Sequence, residues 1–210
     1  MKRLYLLSLF VLVSSAAWAQ NAGDILNRVQ KKYASLNNVC ATFTQTFEWK
    51  LANETQVFEG QVCTRNGVQF RVENSDQTII TDGKTIWTMP RNARQVIIDD
   101  AAESPEDNPF LKTFMQNYVD NYKPEYLGEV PLGGQPHDHL RLTARSEDVF
   151  AKEIEIWVEK KSLLMTKIRQ IDVNDNVSTY EISKVDVNAK LTEASFRPDI
   201  SPDYEVVDLR

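Results

Sequence analysis

The chain has 210 residues, of which 42% are hydrophobic and 26% charged, with 7 Gly and 8 Pro. That length builds one domain or at most two small ones, and the composition excludes a disordered tail, a collagen-like repeat and a membrane-spanning protein. Lys+Arg 24 against Asp+Glu 30 leave a net charge of −6, and no basic run is long enough to track a phosphate backbone, which argues against nucleic acid as a partner.

Lys2 and Arg3 precede an apolar run from Leu4 to Val13, and Ala17-Trp18-Ala19 has the small-x-small form of a cleavage site. Ten apolar residues fall short of the roughly 20 that span a bilayer, so residues 1–19 read as a secretory signal peptide. Its removal leaves 210 − 19 = 191 residues, 20–210, as a single domain with a charge of −6 − 2 = −8. The residue after the cut is Gln20 and not a cysteine able to carry lipid, so the exported protein is expected to be soluble and without its own anchor.

Asp24 to Leu36 has helical spacing, with Ile25, Val29, Tyr33 and Leu36 on one stripe and Asn37-Asn38 as a stop. Strands follow at Val39–Trp49, Val57–Thr64, Gln69–Glu73 and Thr78–Thr81, then the Asp82-Gly83 turn, Thr85–Met89 and Arg94–Ile98. The count of two cysteines leaves two buried free thiols open. A hairpin register in which paired positions sum to 103 sets Phe43 against Gly60 and Ala41 against Val62 on an apolar face. The same register sets Cys40 opposite Cys63 on the other face, so a Cys40–Cys63 disulfide is expected.

Ser104-Pro105-Glu106 reads as a helix start, with Phe110, Leu111, Phe114, Met115 and Tyr118 as its apolar stripe. Strands resume at Tyr126–Val130, His139–Ala144, Glu153–Glu159, Leu163–Asp172, Val177–Asp186 and Tyr204–Asp208. The fold class is mainly β with α: one antiparallel meander curling toward a barrel, its dry face covered by two helices. If those helices cover the sheet completely the interior is core; if one is a removable lid, the interior is a cavity for a hydrophobic ligand. Phe43, Phe47, Trp49, Phe58, Phe70 and Trp87, with Phe110 and Phe114 on the second helix, are the side chains expected to line that interior, whether as packing or as an acyl-chain cavity.

No nucleophile elbow, phosphate-binding loop, H-E-x-x-H or C-x-x-C occurs. His137 and His139 are the two histidines; their spacing would place both on one strand face, but the Gly133-Gly134-Gln135-Pro136 stretch before them reads as an exposed loop. Glu153, Glu155 and Glu159 read as a solvated face. No enzyme activity, metal or cofactor is expected.

The ordered segments resemble the LolA family of periplasmic outer-membrane lipoprotein carriers. The resemblance is carried by Ala41-Thr42-Phe43-Thr44-Gln45, Glu59-Gly60, Phe70-Arg71, Thr81-Asp82-Gly83-Lys84-Thr85-Ile86-Trp87, Gln95-Val96, Asn108-Pro109-Phe110, Ser195-Phe196-Arg197-Pro198 and Val206-Val207-Asp208. It implies a strongly curved, incomplete antiparallel barrel closed by a helical lid. It also implies a monomeric periplasmic chaperone that takes lipoproteins from an inner-membrane ABC transporter, shields their acyl chains and passes them to an outer-membrane acceptor. In the family, an arginine just before the F-R segment holds the empty lid shut. Arg65 stands there, followed by Asn66 where the family has proline and with one extra residue before Phe70; Arg71 is the substitute. A periplasmic binder of free fatty acids or other small lipids is the alternative that an apolar cavity leaves open.

Overall fold

The computed structural model describes residues 15–101, 121–146, 149 and 151–210. One helix, α1 (Ser15–Ala34), precedes β1 (Asn38–Trp49), β2 (Glu54–Arg65), β3 (Gln69–Asn74), β4 (Gln77–Thr81), β5 (Thr85–Pro90) and β6 (Gln95–Asp100). After them come β7 (Tyr122–Leu132), β8 (Gln135–Ala144), β9 (Ala151–Glu159), β10 (Met165–Asp172), β11 (Val177–Asp186) and β12 (Glu205–Asp208). The second helix expected after Ser104, with Phe110 and Phe114, lies outside the described residues, as does most of the expected signal peptide.

The helix begins nine residues earlier than its apolar stripe suggests, because Ala16, Ala17, Ala19 and Ala22 are strong helix formers with no proline between them. Its buried residues Ala22, Ile25, Leu26 and Val29 keep the expected spacing of three and four. Lys31 and Lys32 occupy the last turn, where the helix dipole favours cations. Ser35 ends it, its backbone N–H and side chain both bonding back to Lys32 O.

All twelve strands form one sheet in the order β12-β6-β5-β4-β3-β2-β1-β11-β10-β9-β8-β7. The expected single meander is therefore two: β1–β6 and β7–β11, joined where β11 pairs with the free side of β1. Turn signals report only sequence neighbours, whereas this join links Phe43 to Ile182 and Gln45 to Tyr180 across more than a hundred residues. The tail strand adds a second departure, running parallel to β6 with Val206 beside Val96. The sheet remains open, with β7 and β12 as its terminal strands.

Register partners share a sheet face, so rows across the sheet can be traced. One face carries Ala41–Val62–Val72–Ile79 and Thr64–Phe70–Thr81; on the other half it carries Leu140–Ile156–Ile168–Tyr180. Residues of both halves share one core with Ile25, Leu26 and Val29 of α1, so the sheet curves around the helix. The opposite face carries Cys40–Cys63–Arg71–Ile80–Trp87–Ile98. Here the C-terminal segment packs: a 3-10 turn, Glu193–Phe196, sits against β3 and buries Phe196 completely.

The β1–β2 register matches the expected sum of 103 along its whole length. Cys40 and Cys63 are joined by a disulfide with a Cα–Cα separation of 4.1 Å. Phe43 lies over Gly60, where an added Cβ would come within 2.6 Å of the Phe43 ring and 2.4 Å of Glu73 O. The Asp82-Gly83 turn also forms: Asp82 Oδ1 accepts from Lys84 and Thr85 N–H, and Gly83 has φ +95°.

Candidate functional site: an apolar cavity beneath the helix

A cavity of about 320 Å³ opens between the C-terminal half of α1 and the concave sheet. The helix contributes Leu26, Val29, Gln30, Tyr33 and Ala34 to its wall, one continuous stripe at steps of three, one, three and one. The facing wall is built by Val39 and Ala41 of β1, Val62 and Thr64 of β2, Ile156 of β9, Met165 of β10 and Ile182 and Val185 of β11. Leu36, Leu164 and Gly67 complete it from the connecting segments. Gly67 belongs to the three-residue β2–β3 turn, Asn66 to Val68, in which Asn66 and Gly67 both adopt positive φ. The volume falls within the range of about 300–1,000 Å³ usual for small-molecule sites.

Tyr33 fastens the helix to the far wall. Its hydroxyl accepts the Met165 backbone N–H at 3.1 Å. Burial pushes the Tyr33 phenol up to about 12, the hydrogen bond from Met165 opposing that rise. Tyr180, deeper in the same core, is likewise pushed up to about 12 by burial, with hydrogen bonds to Ser178 and Gln45 acting the other way. It also meets the Phe43 ring edge-on, at 6.3 Å between centroids.

None of the six described aromatic residues expected along the interior belongs to the wall of this cavity. Phe43 and Phe70 are buried on the concave face, in the core that carries the cavity but not in its wall. Phe47 and Phe58 are half-buried further along the β1–β2 hairpin, and Trp49 at its end is 45% exposed. Trp87 stands on the opposite face, between Ile80 and Ile98. The wall is aliphatic because α1 descends onto the first half of β1, where Val39 and Ala41 lie; the aromatic end of that strand runs beyond the helix. The spacing Val29–Gln30–Tyr33 on the helix stripe was the available signal.

Arg65 and Arg71, the latch residues that the family resemblance implies, both make polar contacts among the described residues. Arg65 Nη1 donates to Gln69 Oε1 at 3.1 Å and lies 4.0 Å from Glu193 Oε1 of the 3-10 turn. Arg71 donates to Glu73 from the row that faces away from α1. The segment that either would have to grip, around Phe110 and Phe114, is outside the described residues.

The histidine reading requires correction. Gly133 and Gly134 alone make the turn, and β8 starts at Gln135, so both histidines lie on a strand. His137 is 2% exposed and its Nδ1 contacts Gln135 O at 2.8 Å. His139 stacks on Trp157 at 4.2 Å and its Nε2 lies 2.9 Å from Glu155 Oε2. Glu155 is thereby largely buried, held from its other side by Arg141 Nη2 at 3.3 Å, and is not the solvated glutamate that its alternation suggests. Among the described residues no three His, Cys, Asp or Glu side chains group as a metal site, and no helix is long and apolar enough to cross a membrane.

Comparison with known proteins agrees with this architecture. The family model for the outer membrane lipoprotein carrier protein LolA matches residues 34–199. An outer-membrane lipoprotein carrier protein of Histophilus somni is 25% identical over 205 residues, covering 96% of this chain and 94% of that one. A protein of the same description from Pasteurella multocida is 24% identical over 213 residues, covering 100% and 97%. Among solved structures, an uncharacterized conserved protein from Thermus thermophilus superposes with a TM-score of 0.63 at 18% identity, over 90% of this chain and 99% of that one. With the family model spanning most of the length, and a helix seated in an open, curved antiparallel sheet, this chain belongs to the LolA family of outer membrane lipoprotein carrier proteins.

Proposed function

We propose that the protein is a periplasmic lipoprotein chaperone that receives cargo from an inner-membrane ABC transporter, shelters its acyl chains beneath α1 and hands it to an outer-membrane acceptor. The observation that carries this reading is an apolar cavity of about 320 Å³, built by a helix against the concave face of a LolA-family sheet. Its physical need is plain: at about 0.8 kcal/mol per buried CH₂, a chain of roughly 16 carbons left in water costs on the order of 12 kcal/mol. A non-covalent apolar site offsets much of that without a bond to break, so a drier acceptor can take the cargo. The expected second helix bearing Phe110 and Phe114 serves as the lid, Arg65 as its latch, and residues 1–19 as the export signal that is removed.

The test is native mass spectrometry of the tagged protein recovered from the periplasm of a two-membrane bacterium, together with an Ala41→Phe variant that fills the cavity. Lipoproteins bound one to one to the wild type and depleted from the variant support the carrier. Free lipid alone, or equal loading of the variant, overturns it.

A further inference from the structure

An aliphatic slot would suffice to hold hydrocarbon, yet this cavity wall includes two polar side chains with no partner of their own among the described residues. Gln30 interrupts the apolar stripe of α1, and Thr64 stands opposite on β2 in the Thr64–Phe70–Thr81 row. Neither side chain makes a hydrogen bond among the described residues, and neither is among the fully enclosed unpaired atoms, so both can reach a ligand. The third polar group, the Tyr33 hydroxyl, already accepts from Met165 N–H.

Their position gives the wall a direction. Thr64 pairs with Val39, the second residue of β1, and lies one pair in from the turn that holds Gly67. Gln30 lies about one turn before the end of α1, so both polar groups fall near the α1–β1 junction. Leu26, Ile156 and Met165 make the remainder hydrocarbon. Among the described lining residues none is charged, so the wall holds no cation to neutralise a carboxylate or a phosphate. A neutral polar group suits such a wall, and one that accepts hydrogen bonds can take both the Gln30 N–H and the Thr64 O–H. The carbonyl of an acyl ester or amide is such a group, and it lies where a lipid's hydrocarbon begins.

We propose that Gln30 Nε2–H and Thr64 Oγ1–H donate to the ester or amide carbonyl of a bound acyl chain, so that the site reads the acyl linkage as well as the tail. This rests on the carrier reading and names the chemistry its cavity selects. The experiment compares two synthetic probes of equal chain length, a dipalmitoyl-glyceryl-cysteine peptide and its dihexadecyl ether counterpart. Both are titrated into the full chain and into Gln30→Met and Thr64→Val, which keep side-chain size. The wild type should prefer the ester by roughly two- to tenfold for each hydrogen bond, and each variant should lose its share of that preference while binding the ether as before. Equal wild-type affinity for ester and ether overturns this inference alone and leaves the carrier intact. Failure of the wild type to bind either probe overturns both. The wild-type comparison needs no variant to fold.

Discussion

Removing the disulfide by C40A/C63A is the perturbation whose size follows most directly from the fold. The bond closes a loop with a sequence separation of 23. In the chain-entropy model, cross-linking lowers the unfolded state's entropy by 2.1 + 1.5R ln n cal/mol/K, which for n near 23 amounts to about 3.4 kcal/mol at 25 °C. The folded hairpin itself should change little, since main-chain pairing runs on both sides of Cys40–Cys63, from Asn38–Arg65 to Trp49–Glu54. Truncating Cys63, which is buried on the face covered by the C-terminal segment, adds a packing loss of the order of 1 kcal/mol. The expected total is a loss of about 4–5 kcal/mol, equivalent to roughly 8–20 °C in Tm for a chain of this size. Urea unfolding of the wild type and the double variant measures it, and the slope should steepen because the uncrosslinked unfolded chain exposes more surface. A loss below about 1 kcal/mol refutes the reasoning, as does a thiol assay that finds two reactive cysteines in the unreduced, denatured protein.

Three further outcomes are expected. Gly60→Ala should cost about 1–3 kcal/mol, because its Cβ would meet the Glu73 carbonyl at 2.4 Å and the Phe43 ring at 2.6 Å; Phe43→Leu should recover only part of the loss, since Glu73 O belongs to the β2–β3 ladder. A thermal melt in which Gly60→Ala equals the wild type contradicts that packing. Stability should fall as pH rises from about 10 to 12: Tyr33 and Tyr180 hold their protons up to about 12 when folded against 10.0 when unfolded, so the folded state is favoured below 10 and loses that advantage on the way to 12. Tyr33→Phe should make that loss shallower while costing about 0.5–1.5 kcal/mol at neutral pH through the unpaired Met165 N–H, and an unchanged alkaline profile argues against a buried phenol. Arg65→Leu should change stability by less than about 1 kcal/mol, as expected for part-exposed pairs, yet accelerate cargo release; release kinetics equal to the wild type remove Arg65 as a latch.

Local rules decided much of this molecule. Alternation of Ala41, Phe43 and Gln45 against Val62, Gly60 and Phe58 specified one register, because a slip by one residue would turn the apolar set toward the other face. The cysteine pairing followed from that register, and Asp82-Gly83 determined its own turn through side-chain acceptors within three residues. The family was legible as well, since its motifs are short and fall in order along the chain. What the sequence alone left open was everything set by residues distant along it. The closure of β11 on β1 depends on side chains more than a hundred positions apart, and the burial of His137 and Glu155 depends on the pairing of β8 with β9. The cavity wall is the clearest case: where α1 comes down on the sheet decides which side chains face the empty space. That placement follows from the shared packing of Ile25, Leu26 and Val29 with both halves of the sheet, a sum over many distant contacts that no local spacing records.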